Sequence, residues 1–154
     1  MNSAAQLASL LVVQNRRVNS AIALVQERNG VLRQRKLERD AAQQRWEGAV
    51  VAYRLERERL AEAIGSHRWL TLRIDAGTLT RGALRCEAHR AFVSESAKAL
   101  ADAEVLLVEA TTAAAEARAI YDRTVARKDT LLTMQSRWRK DQSLRIVSLE
   151  PHGK

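Results

Sequence analysis

The sequence contains few residues that break helices and few that fill a large core. Its 154 residues include one proline, at position 151, and six glycines. Only six residues are aromatic: three Trp, two Tyr and one Phe. Because a compact globular domain normally buries more large side chains, this composition favours long helices or a coiled coil.

The chain also lacks the features that mark most secreted and membrane proteins. Cys86 is its only cysteine, so no intrachain disulfide can form, which is compatible with a reducing compartment. The first residues lack the basic segment of a signal peptide, and the apolar run at 10–13 is too short to span a bilayer. We therefore expect a cytoplasmic protein without a transmembrane segment.

Basic residues outnumber acidic ones. Lys and Arg total 26, Asp and Glu total 18, and the net charge is +8. A basic chain can bind nucleic acid, an anionic membrane surface or an acidic protein, and charge alone does not choose among them.

Apolar residues recur every seven positions in both halves of the chain, which is the spacing of a coiled-coil seam. A companion row in the first half is weaker, because it includes Gln14, Arg28 and Glu56. The predicted seam residues are Leu11, Val18, Val25, Leu32, Trp46, Tyr53, Leu60, Cys86, Val93, Leu100, Leu107, Tyr121, Leu131 and Trp138.

The heptads stop in the middle of the chain, where Gly65 and Gly77 bracket an irregular stretch. The pattern predicts one helix over about 3–63, a loop over about 65–79 and a second helix over about 80–147, followed by a short tail. Two long helices joined by a short loop fold back on each other. We therefore predict an all-α fold, a long antiparallel two-helix coiled-coil hairpin that includes the whole of 1–154.

Two properties of the sequence support antiparallel pairing in which partner residue numbers add to about 144. Residues 28–45 have a net charge of +4, and their predicted partners at 99–116 have −4. Opposite charges beside a seam favour one pairing over others. Large side chains also fall opposite small ones, such as Trp46 opposite Ala97, which allows close packing.

No catalytic motif is present. The sequence has no glycine-rich phosphate loop, no nucleophile elbow and no zinc-protease signature. Cys86 and His89 share a helix face, but two ligands do not complete a zinc site. We predict no enzyme activity, no cofactor and no metal site.

The basic residues left unpaired by the hairpin concentrate near its two chain ends. A solvated charged face is one interpretation, and a docking surface for an acidic protein is another. Nucleic acid is a third, although the basic groups are not interleaved with aromatic residues or glycine. The predicted partner-binding residues are Arg16, Arg17, Arg127, Lys128, Arg137, Arg139 and Lys140.

The stretches 10–17 (LLVVQNRR) and 123–132 (RTVARKDTLL), on a basic hairpin of this length, resemble the FliJ/YscO family. These are the stalk proteins of type III secretion systems. The resemblance implies a non-enzymatic stalk that docks in the central hole of a hexameric export ATPase and connects it to the membrane export gate. Some family members also handle export chaperones. The alanine-rich stretch 97–119 departs from the family.

Two other functions remain open from the sequence. The chain could be a coiled-coil adaptor or chaperone that binds other helices through its seam. It could also be a basic helical protein that binds nucleic acid or an anionic membrane surface, for which a steep dependence of affinity on salt is diagnostic. The resemblance favours the stalk, located in the cytoplasm beside the inner-membrane export apparatus.

Overall fold

The computed structural model describes residues 3–70 and 76–149, and both segments are helical. Helix α1 comprises Ser3–Leu70, and helix α2 comprises Ala76–Leu149. The helices pack against each other in antiparallel orientation, with the start of α1 beside the end of α2. The chain is therefore an all-α helical hairpin.

Both helices extend into the predicted loop. α1 continues through Gly65 to Leu70, and α2 begins at Ala76, before Gly77. The loop boundaries predicted at 65 and 79 were wrong, because one glycine costs only about 1 kcal/mol relative to alanine and a growing helix tolerates that cost. Residues 71–75, the rest of that loop, lie outside the described residues, as do 1–2 and 150–154.

The chain divides into two compact units. The terminal unit comprises 1–31 with 111–154, and the central unit comprises 32–110. Each unit contains one segment of α1 and one of α2. The most buried residues of the terminal unit are Leu11, Gln14, Val18, Ala21, Ala114 and Ala117, and those of the central unit are Ala42, Ala49, Glu56, Ser96 and Ala110.

Small and polar residues therefore make up the buried part of the central unit and most of that of the terminal unit, which also buries Leu11 and Val18. Of the fourteen predicted seam residues, Leu11 and Val18 are buried and the other twelve are half-buried. Two helices enclose a large side chain from one side only, so its far edge stays in water. The row that looked weaker in the sequence contains Gln14, Ala21, Ala42, Ala49 and Glu56, all of which are buried.

The pairing register differs by a few residues from the predicted one. In the terminal unit Gln14 bonds to Thr124, and the two numbers add to 138. In the central unit Glu56 pairs with Arg85, and these add to 141. The register sum of 144 was therefore slightly too high, and Ala97, predicted to lie opposite Trp46, is exposed.

Some charged residues of α1 that were predicted to attract α2 across the seam instead form ion pairs within α1. Arg35 contacts Glu38 at 2.7 Å, and Arg39 contacts the adjacent Asp40 at 3.1 Å. Hydrogen bonds donated by the side chains of Arg35 and Gln34 lower the pKa of Glu38. These local pairs stabilise the helix rather than select its partner.

Candidate protein-binding surface

The seven predicted partner-binding residues all belong to the terminal unit. This unit has twelve basic and six acidic residues, a net charge of +6, whereas the central unit has fourteen and twelve, a net charge of +2. The excess positive charge is therefore concentrated in the terminal unit, as the sequence indicated.

Most of these basic side chains are exposed and unneutralised. Among the described residues, none of the seven forms an ion pair with a carboxylate, whereas Arg118 in the same unit contacts Asp122 at 3.2 Å. Six of the seven are exposed. Lys128 is half-buried, because it lies seven residues after Tyr121 on the seam row of α2. It is a poorer candidate for partner contact than the other six.

The seven residues are spread along both helices and do not lie in one place. Arg16 and Arg17 lie beside the part of α1 that pairs with the Thr124 region of α2. Lys140 is thirteen residues after Arg127, which is roughly 20 Å along a helix. The predicted single cluster is therefore too long to be one compact site.

Arg137, Arg139 and Lys140 lie on the last part of α2, which extends past the position opposite Ser3, the first described residue of α1. Given the Gln14–Thr124 contact, the residue opposite Ser3 lies near position 135, so α2 runs on beyond the start of α1. In the stretch 139–148 every side chain except that of Gln142 is exposed, and three of the exposed residues are apolar: Leu144, Ile146 and Val147.

An open groove lies beside the seam of the terminal unit. Its volume is about 390 Å³. A second depression of about 560 Å³ continues it along α1 and shares Val13 with it. The residues that line the groove are Val13, Arg16, Arg17, Ser20, Ala21, Leu24 and Ile120. The groove therefore combines an apolar floor with two guanidinium groups, and none of the described residues that line it has a carboxylate.

A buried hydrogen bond fixes the two helices next to this groove. The side-chain amide of Gln14, only 5% exposed, donates to the backbone carbonyl of Thr124 at 2.8 Å. The Thr124 hydroxyl donates to the carbonyl of Ile120 at 2.7 Å. A polar group buried in a seam penalises registers that leave it unpaired, so this bond helps to hold Ile120 at the edge of the groove.

The central unit has its own polar contact. The side chain of Glu56 is 10% exposed and forms an ion pair with Arg85, whose Nε lies 3.1 Å from the carboxylate, and Arg59 lies at 3.8 Å. One turn further along α1, Leu60 packs onto Gly82. The sequence analysis identified neither contact, although a carboxylate within the companion row was a signal for the first.

Cys86 and His89 are both half-buried on the seam side of α2. Within 3–70 and 76–149, no group of three or more His, Cys, Asp or Glu side chains is placed to hold a metal ion. Neither described helix contains a stretch long and apolar enough to cross a lipid bilayer.

Comparison with protein-family models, with curated protein sequences and with solved structures finds no match to this chain. The structure therefore supports the helical hairpin directly, and the function is inferred from the surface of the terminal unit.

Proposed function

We propose that this chain is a non-enzymatic stalk of a type III secretion export ATPase complex. In this proposal the terminal unit docks in the hexameric ATPase, and the chain connects that ring to the membrane export gate. The observation that carries the proposal is the set of exposed basic side chains in the terminal unit that form no ion pair with a carboxylate within the described parts of the chain. The helical hairpin and the resemblance of 10–17 and 123–132 to the FliJ/YscO family point in the same direction.

Physical chemistry supports docking through this unit. Guanidinium groups donate hydrogen bonds in a fixed planar geometry that matches carboxylates. A ring lined with carboxylates attracts a basic end from a distance, and at 0.1 M salt this attraction is largely screened beyond a Debye length of about 10 Å. Docking should therefore be stronger and faster at low ionic strength.

The test is stimulation of a purified hexameric export ATPase by the chain at two ionic strengths. The triple variant Arg137→Glu, Arg139→Glu, Lys140→Glu should lose most of its stimulation at low salt and proportionally less at high salt. Helical content should be unchanged, because Glu and Arg both favour helices.

The control reverses three basic residues of the central unit: Arg33→Glu, Lys36→Glu and Arg54→Glu. These side chains are also exposed and form no ion pair among the described residues, so the two variants change charge equally. Equal loss from both variants, or no loss from the terminal one, would contradict the proposal. A steep salt dependence of binding to DNA with no effect on the ATPase would favour a nucleic-acid-binding function instead.

A coiled-coil adaptor for other secretion components, including export chaperones, is the second candidate. It is favoured by the large apolar side chains that remain exposed beside the seam, such as Leu10, Val13 and Ile120. An adaptor would bind helical partners without any change in ATPase rate.

A further inference from the structure

The groove of the terminal unit follows a second heptad row. Residues 6, 10, 13, 17, 20 and 24 are spaced by four and three positions in alternation, parallel to the seam but displaced to one side of it. Leu10 and Val13 on this row are about half exposed, at 52% and 44%, and Ile120 on α2 faces the same groove at 40%. Leu10, Val13 and Leu24 are its apolar members and positions 6, 17 and 20 are polar, so the apolar members offer another helix a surface on which to pack.

The length of this row indicates how much helix it accommodates. From Leu10 to Leu24 the row covers fourteen residues, which is roughly 21 Å or four turns. The two depressions that share Val13 extend along that distance. A partner helix of about two heptads would therefore cover the exposed apolar side chains.

The positive charge of the groove indicates which kind of partner helix would bind there. Arg16 lies beside the row and Arg17 on it, and neither contacts a carboxylate among the described residues. A second copy of this chain would bring the same guanidinium groups against each other, in a unit whose net charge is already +6. Acidic side chains on the occupant would instead pair with them.

We infer that this groove binds an amphipathic helix of a partner protein, with apolar residues at heptad spacing and carboxylates on the flanks. The bound helix would become a third helix packed against the two helices of the terminal unit. The inference goes beyond the stalk proposal, because it needs no ATPase. Arg16 and Arg17 belong to both sites, so the experiment must separate the two.

The probe is a synthetic 18-residue helical peptide with Leu at heptad spacing and Glu on both flanks. Its binding to the full chain is followed by fluorescence anisotropy at two ionic strengths. We expect saturable binding that weakens at high salt, and little binding of a matched peptide with Lys in place of Glu. Equal binding of the two peptides, or no binding of the Glu peptide, would overturn the inference.

The chain offers a matched pair of variants. Val13→Asn places a polar side chain in the groove, whereas Val12→Asn makes the same change at a neighbouring position that is more exposed, at 53%, and does not line the groove. Val13→Asn should weaken peptide binding about tenfold, the scale expected for removing one buried aliphatic contact. Val12→Asn should change it less than about twofold, and equal effects would contradict the site.

Two further readouts separate the alternatives. Sedimentation velocity of the chain alone, with and without Val13→Asn, would reveal self-association through the groove, and a dimer lost in the variant would overturn the acidic-helix assignment. Binding to anionic phospholipid vesicles that depends on Val13 but not Val12 would overturn it in favour of a membrane surface. Peptide binding reports on the groove and ATPase stimulation by Val13→Asn reports on the stalk, so either proposal can fail alone.

Discussion

Replacing Gly82 by alanine tests how closely α1 and α2 pack in the central unit, because an added methyl group at this position has no free space. A Cβ on Gly82 would lie 2.8 Å from Cδ1 of Leu60, whereas ordinary carbon–carbon contacts are about 3.5–4.0 Å. Gly48, also in the central unit and also helical, has nothing within 4 Å of the corresponding position. The variants Gly82→Ala and Gly48→Ala therefore make the same chemical change in a tight site and in an open one.

Two opposing effects determine the outcome. Replacing glycine by alanine inside a helix stabilises it by about 1 kcal/mol. Overpacking costs about 1–3 kcal/mol, and we expect the lower end of that range because the obstructing atom is at the free end of a half-buried leucine side chain. Gly48→Ala should raise the free energy of unfolding by about 1 kcal/mol. Gly82→Ala should leave it unchanged or lower it by up to about 1 kcal/mol.

The assay is urea unfolding followed by far-ultraviolet circular dichroism, with all variants analysed at a common slope. The double variant Gly82→Ala, Leu60→Ala should recover the helix-propensity gain relative to Leu60→Ala alone, because the obstructing atoms have been removed. If Gly82→Ala is as stabilising as Gly48→Ala, then Leu60 does not pack on Gly82 as described, and the register of the central unit is in error.

Two further predictions concern the buried polar side chains. Glu56→Gln should lower the free energy of unfolding by about 1–2 kcal/mol, because the ion pair with Arg85 is lost and a neutral amide remains in the seam. Glu56→Leu should cost less than Glu56→Gln, since leucine leaves no polar group in the seam whereas glutamine leaves a buried amide without its charged partner, and the reverse order in a urea titration would contradict this account. Gln14→Leu should retain or slightly raise stability but lose the register preference that the bond to Thr124 provides. The amide NMR spectrum should then contain more than one set of signals for the residues around Thr124, and a single set would refute that role.

The helical hairpin could be predicted from the sequence because its signals are repetitive. Many apolar residues at heptad spacing, from Leu11 to Leu60 in the first half and from Cys86 to Trp138 in the second, support the same conclusion, so individual exceptions such as Arg39 do little harm. The register could not be predicted to the residue, because a heptad pattern fits almost equally well after a shift of three or four positions. The bond of Gln14 to Thr124 and the contact of Leu60 with Gly82 are single events, and periodicity does not reveal them.

The candidate site was predicted in charge but not in shape. Counting basic residues identified the terminal unit, yet it placed Lys128 with the exposed residues although that side chain lies half-buried on the seam row. The groove was missed for a related reason. Val12 and Val13 are identical neighbours outside the predicted seam, and only the position of Ile120 on the other helix shows which of them faces a concave surface.

The basic residues and the apolar groove would contribute to binding in different ways. Exposed charges such as Arg137 and Arg139 act through water, so they accelerate encounter and lose strength in salt, but a single surface pair contributes at most about 1 kcal/mol. Apolar side chains such as Val13 and Ile120 contribute through the area they remove from water, about 25 cal/mol per Å², and burial of this area mainly slows dissociation.

A partner that used the charges alone would associate and dissociate quickly, as suits a ring that must pass through successive states. A partner that also filled the groove would stay bound longer, as suits an adaptor or cargo helix. The terminal unit has both surfaces on the same pair of helices, so association and dissociation rates measured separately would distinguish these two uses.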